Sequence, residues 1–196
     1  KDVTKSIESS MQNGGIPVHY PKKQEDENGF IEEAAIKLYD DAEIVFISRE
    51  NYKGLFKPGY SKPVQNITIT NEDTGLETVD HIVGNVRTNE MNLWANYLNK
   101  SLNFETFIEF GEGDISTKYS ALLSKVVRSR EGAPIKNPIN EPFEGIKKSQ
   151  IEEYIDEYFG SGIQHVAITT KDIISTIRAM RANGVEFLST PPDTYY

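Results

Sequence analysis

The chain of 196 residues contains no cysteine, so disulfides, thiolate metal sites and cysteine nucleophiles are excluded. The cytoplasm is the expected compartment on that ground. Long hydrophobic runs are missing too. No apolar stretch approaches the ~18–20 residues that a membrane span needs, and no signal-peptide pattern opens the sequence, so no membrane is expected among its partners. Positive charge is also short: 21 Lys and Arg stand against 30 Asp and Glu, a formal net charge of -9. Nucleic acid would be repelled on average unless a basic patch drew it in. The nearest patch, Lys147-Lys148, runs at once into Glu152 and Glu153, and nucleic acid is set aside as a partner.

What remains is an ordinary soluble composition, 37% hydrophobic and 26% charged, which rules out a disordered chain. The length suffices for one good core or two small ones. Residues 1–15 read as the tail of a helix stopped at Asn13-Gly14-Gly15. KKQEDENG (22–29) reads as a charged turn, and FIEEAAIKLY (30–39) with AEIVFISR (42–49) as a β-hairpin. The Pro/Gly-rich FKPGYSKP and the breaker cluster NEDTG place a domain boundary at roughly 60–77. Beyond it come a strand TVDHIVGNV (78–86), a helix over 90–99, and strands FETFIEF (104–110) and KYSALLSKVV (118–127). PIKNPINEP (134–142) reads as a proline-broken edge strand or extended loop. SQIEEYIDEYF (149–159) is a helix opened by a capping box, Ser149 with Glu152. A strand GIQHVAITT (162–170), a helix over 172–183 and a strand VEFL (185–188) follow. The first residue is Lys1, and Tyr195-Tyr196 end the sequence with no cap, which reads as a piece of a longer protein.

Two segments repeat one another. VDHIVGNV and IQHVAITT each place a histidine, His81 and His165, between branched apolar residues, and each continues into a helix and a strand carrying Phe104 or Phe187. A lone histidine on an apolar strand is more often a hydrogen-bonded core residue than a ligand. Two at matching positions of a duplicated strand–helix–strand unit can be brought face to face about a pseudo-two-fold axis, where their nitrogens suit Zn, Cu, Ni or Fe. One added carboxylate would make the 2-His-1-carboxylate arrangement of non-haem Fe(II) oxygen chemistry, or hold a hydrolytic zinc. Spacing does not separate the two. His19, beside a proline and without a counterpart, reads as structural or exposed.

The sequence resembles the 4-hydroxyphenylpyruvate dioxygenase family of the vicinal-oxygen-chelate superfamily. The resemblance is carried by DHIVGNV (80–86), ISTKYSALLSKVV (115–127), PINEPFEGIKKSQIEEYI (138–155), GIQHVAI (162–168) and GVEFLSTPPDTYY (184–196). NYKGLFKPGY (51–60) resembles the end of that family's N-terminal domain. It implies an α+β fold of paired βαβββ modules. Residues 1–65 would be the C-terminal part of an N-terminal domain plus linker, and 66–196 an iron-binding C-terminal domain cut before its last strands. By the same resemblance His81 and His165 match the two histidine ligands of Fe(II). Ser120, Asn140, Gln150 and Gln164 match positions lining the substrate pocket. Strand alternation puts Gln164 and His165 on opposite faces unless the strand twists or bulges. The family's third ligand is a glutamate expected beyond Tyr196. Asp80, Glu109, Asp114, Glu141 and Glu186 fall outside that position and read as solvated or edge charges.

The implied reaction converts 4-hydroxyphenylpyruvate and O2 to homogentisate and CO2, in the catabolism of tyrosine and phenylalanine, within a homo-oligomer. The alternatives are a hydroxymandelate synthase-like enzyme on the same substrate and a non-catalytic truncated module. The fragment alone, lacking a third ligand, is expected to be inactive.

Overall fold

The computed structural model describes residues 2–62, 73–110, 121–130, 135–143 and 148–188. It is α+β throughout, as the resemblance implied. Helix α1 (Val3–Gln12) starts at Asp2, whose carboxylate accepts the Lys5 N–H. Its apolar stripe buries Val3 and Ile7 against Ala34 and Ile36. Strands β1 (Pro17–Asp26), β2 (Gly29–Leu38) and β3 (Ala42–Ser48) form an antiparallel sheet in that order. A second sheet is built from β4 (Leu76–Asn85), β5 (Phe104–Phe110), β6 (Ala121–Ser129), β7 (Lys136–Phe143) and β8 (Gly162–Thr170), in the order β5-β6-β7-β4-β8. Helix α2 (Met91–Ser101) links β4 to β5, α3 (Gln150–Tyr158) precedes β8, and α4 (Ile173–Ala182) follows it. The run β4-α2-β5-β6-β7 is thus a βαβββ module whose leading strand lies parallel to its last. The run α1-β1-β2-β3 repeats its αβββ part, and β8-α4 opens a further copy.

The chain divides into two compact units. One comprises Lys1–Lys62 with His81–Val166. Its core joins Leu38 and Tyr39 to Val86, Met91, Trp94, Ala95, Leu98, Phe104, Val127 and Ile139. The other comprises Pro63–Asp80 with Ala167–Tyr196. There the Thr78 and Thr169 hydroxyls meet at 2.9 Å, and Asp172 caps α4 by accepting the Ile174 and Ser175 N–H groups. The capping box of α3 forms as read: Ser149 accepts from Glu152 N–H while the Glu152 carboxylate accepts from Ser149 N–H.

Three expectations fail in instructive ways. The charged run 22–29 is not a turn; β1 extends through it, and only Glu27-Asn28 turn, between the paired Asp26 and Gly29. β1 is an edge strand, where lysines and carboxylates are tolerated and discourage further pairing. Lys22 reaches Glu33 across the sheet at 3.1 Å. Residues 185–188 form no strand; Leu188 is 96% exposed. The third failure concerns β7, which despite Pro138 and Pro142 lies inside the sheet, between β6 and β4.

The register explains how β7 tolerates Pro138. The Asn140 carbonyl accepts the Val86 N–H at 2.9 Å, so the even-numbered residues of β7 direct their backbone groups toward β4. A donor at position 138 would have served the Ile82 carbonyl, and proline has none. The Asn137 side chain supplies it instead, donating from Nδ2 to the Ile82 oxygen at 2.8 Å. Asn137 Oδ1 in turn accepts the hydroxyl of Tyr39, a side chain with no exposed surface, at 2.9 Å. Tyr39 packs edge-on to Trp94 and lies against Gly84, where an added Cβ would meet its hydroxyl. Burial pushes the Tyr39 phenol well above its ordinary range, so it stays a donor.

Tyr39→Phe should therefore cost roughly 1–2 kcal/mol, because it strands only Asn137 Oδ1. Asn137→Ala should cost about 2–4 kcal/mol, because it strands both the tyrosine hydroxyl and the Ile82 carbonyl. Urea unfolding of the two variants ranks them; equal losses would mean that the relay does not stand in for the proline donor.

Candidate functional site

The second sheet sorts its side chains into two faces. On β4, Ile82 and Gly84 lie toward Tyr39, since Gly84 abuts its ring, and Val86 just beyond the strand shares its cluster. On β7 the odd residues do the same: Asn137 bonds Tyr39 and Ile139 joins the core. On β6 the marker is Val127. Alternation then places His81, Val83 and Asn85 of β4 on the opposite face, with Pro138, Asn140 and Pro142 of β7 and Ser124 of β6. Register pairs confirm the row, because Ser124 stands opposite Asn140, and Asn140 beside Asn85.

β8 is the other neighbour of β4, and it brings His165 to His81. The ring centres lie 5.8 Å apart at an interplanar angle of 73°. A metal about 2.1 Å from each coordinating nitrogen sits a little over 3 Å from each ring centre, so rings sharing an ion have centres up to about 6.5 Å apart. The observed separation falls within that range. Gln164 turns its amide so that Oε1 meets Nδ1 of His165; a proton held there leaves Nε2 as the ring's lone-pair nitrogen. The exposed His165 ring still loses water on its inner side, which lowers its pKa, and the neighbouring His81 lowers it further. Its folded value thus lies below the ordinary 6.5. The unfolded chain binds that proton more readily, so this contribution to stability is full above pH ~6.5 and erodes as pH falls below it.

The other nominated residues are spread out. Asn140 lies one strand from β4 on the His81 face. Gln150 is the first residue of α3 and is exposed. Ser120 and Asp114 lie outside the described residues. Among the described residues no group of three or more His, Cys, Asp or Glu side chains could hold a metal. Glu109 pairs with Lys125 at 2.8 Å, and Glu186 is exposed. Glu141 departs from its reading as a solvated charge: it is buried and its Oε2 accepts the Met91 N–H at 3.0 Å, capping the start of α2, where negative charge is favoured.

Two buried polar residues on the His81 face escaped the sequence reading, Ser124 and Asn85, 4% and 1% exposed. The available signal was the alternation itself, since Asn85 follows His81 at the spacing i+4 along one strand face. An apolar groove of about 660 Å³, lined by Ile44, Phe46, Ile82, Leu98, Leu102 and others, lies on the Ile82 side of β4 and takes no part in this arrangement.

Comparison with known proteins places these features. The family described as Glyoxalase/Bleomycin resistance protein/Dioxygenase superfamily matches residues 78–196. The chain is 39% identical to a 4-hydroxyphenylpyruvate dioxygenase of Tetrahymena thermophila, covering 100% of this chain and 50% of that protein. The corresponding figures for the enzyme named alike in Dictyostelium discoideum are 40%, 100% and 54%, and for that of Aspergillus fumigatus 38%, 100% and 51%. The chain thus spans about half the length of the curated relatives it matches. Among solved structures, a mutant of 4-hydroxymandelate synthase from Streptomyces coelicolor shares the fold with a TM-score of 0.75 at 18% identity, over 97% of this chain and 52% of that one.

In His81→Ala the titration midpoint of His165 should rise toward the ordinary histidine value without reaching it, because burial remains. Histidine ring NMR of the metal-free protein reads this directly, and an unmoved midpoint would show that the rings do not sense each other.

Proposed function

We propose, for a chain that belongs to the glyoxalase/bleomycin resistance protein/dioxygenase superfamily, that it carries the histidine half of an Fe(II) centre acting on 4-hydroxyphenylpyruvate and O2. The products are homogentisate and CO2, in the catabolism of tyrosine and phenylalanine. The observation that carries this reading is the His81–His165 pair, two rings at matching positions of a duplicated unit with centres 5.8 Å apart. The names of the relatives at about 40% identity support the substrate.

When bound, Fe(II) supplies the O2 chemistry that side chains lack. His81 and His165 would offer imidazole nitrogens to it, and burial together with the neighbouring His81 ring lowers the pKa of His165. The third ligand is assigned to a glutamate beyond Tyr196. Asn140, Gln164, Gln150 and Ser120 orient the substrate through uncharged hydrogen bonds. Neutral partners hold a phenol and a 2-oxo acid without burying an unpaired charge. Residues 1–65 belong on this reading to an N-terminal domain and linker, and 66–196 to the iron-binding domain. The working protein is a cytoplasmic homo-oligomer. Among the described residues no helix is long and apolar enough to cross a membrane.

Fe(II)-dependent O2 uptake with 4-hydroxyphenylpyruvate tests the proposal in the full-length protein. His165→Ala should reduce uptake by more than about a hundredfold, beyond the 10–100-fold typical of losing an outer-sphere partner. Uptake retained in that variant would sink the metal assignment. Hydroxymandelate in place of homogentisate would move the protein to the synthase reading.

A further inference from the structure

Asparagine 85 is in an unusual position for a core residue. It is 1% exposed, yet neither its amide nitrogen nor its amide oxygen has a hydrogen-bond partner among the described residues. Asn137, also buried, shows what the fold does with an asparagine it needs for itself: Oδ1 takes the Tyr39 hydroxyl and Nδ2 serves the Ile82 carbonyl. A buried amide left without partners costs free energy, so an uncompensated one at a ligand-bearing face points to a partner that arrives from outside.

The placement narrows the choice of that partner. Asn85 shares its face of β4 with His81, four residues and about 13 Å along the strand. Beside it across the sheet stand Asn140 and then Ser124, which is 4% exposed. The three make a row of short, uncharged groups that both donate and accept. Such a row suits a hydroxyl, which also donates and accepts, better than a carboxylate, which asks for cations or donors alone. Its distance from the histidines suits the end of a substrate remote from its metal-chelating head.

We infer that Asn85 is a specificity residue that binds the phenolic hydroxyl of the substrate, as the most buried member of the Asn85–Asn140–Ser124 row. This rests on the reading of the site as one for 4-hydroxyphenylpyruvate, and it gives that reading a determinant for the para-hydroxyl. The amide accepts the phenol proton at Oδ1 or donates from Nδ2 to the phenol oxygen. No proton is transferred, and the residue acts on recognition alone.

The test compares 4-hydroxyphenylpyruvate with phenylpyruvate, which lacks only the phenolic hydroxyl, by calorimetric binding to the full-length, Fe(II)-loaded protein under anaerobic conditions. Melting temperatures are measured alongside. Wild type should bind the hydroxylated compound at least tenfold more tightly, since a site built to pair a hydroxyl rejects the analogue without it. Asn85→Leu, of nearly the same shape, should abolish that preference by weakening 4-hydroxyphenylpyruvate tenfold or more while phenylpyruvate binds as before. Its melting temperature should be equal or higher, because a partnerless buried amide has been replaced by an apolar group. Asn85→Ala carries the same binding expectation and decides the matter if the leucine variant does not fold. A preference retained in these variants, or a lowered melting temperature with both compounds weakened alike, overturns the inference and leaves the parent reading standing. Wild type without a preference also overturns it. Wild type that binds neither compound, or binding indifferent to His165→Ala, overturns the parent reading and this inference with it.

Discussion

The relay from the Tyr39 hydroxyl through the Asn137 amide to the Ile82 carbonyl holds the rest of the arrangement in place. Pro138 leaves a gap in the hydrogen bonds between β7 and β4, and that gap falls on Ile82, the residue next to His81. Without a substitute donor the leading strand of the module would be tied to its last strand chiefly near Asn140 and Val86. The side chain of Asn137 closes the gap from the strand that opens it. Tyr39, at the end of β2 in the first sheet, fixes the orientation of that amide. A contact between residues 98 apart in sequence therefore sets the position of the strand that carries a candidate ligand. Gly84 belongs to the same constraint, because any side chain there would occupy the space of the Tyr39 ring.

With β4 fixed, the alternation of its residues separates two environments. The Tyr39 side holds the aromatic and aliphatic core, including Trp94, Leu98 and Ile139. The charge on that side is put to structural use, as where Glu141 caps the first turn of α2. The His81 side carries Asn85, Asn140 and Ser124 at one end, and at the other Lys136 stands beside His81 with Arg128 beyond it. Formal charge is matched by pairing, as in Arg128 with Glu105 at 2.9 Å and in Arg87 with Asp40, where the guanidinium holds the carboxyl below its usual range.

Much of this was legible in the sequence. The histidine pair stood out because a duplication put His81 and His165 at one position of two copies, and two neighbouring strands bring them together. The hairpin of β2 and β3, the capping box of α3 and the stop of α4 at Asn183-Gly184 follow from local chemistry, and local chemistry is what sequence patterns report. The failures share a different cause. β1 reads as a turn because its charges suit the solvent, and only its pairing with β2 makes it a strand. β7 reads as an edge because proline lacks a donor, and the donor that replaces it comes from the preceding side chain. Glu141 and Asn85 look like surface residues until the sheet order covers them. In each case a partner distant in sequence decides the outcome.

Asn137 and Asn85 show how far such distant partners divide identical chemistry. Both are buried asparagines on adjacent strands of one sheet, 8% and 1% exposed. One points to the core face, where a tyrosine hydroxyl and a strand carbonyl satisfy both ends of its amide. The other points to the opposite face, where its strand neighbours are a second asparagine and a histidine four residues back. A sheet that needed an amide only for its own integrity would have no reason to keep the second one partnerless, because an aliphatic side chain would fill the same space at lower cost. The difference between the two thus marks where the demands of folding end on β4 and those of binding begin.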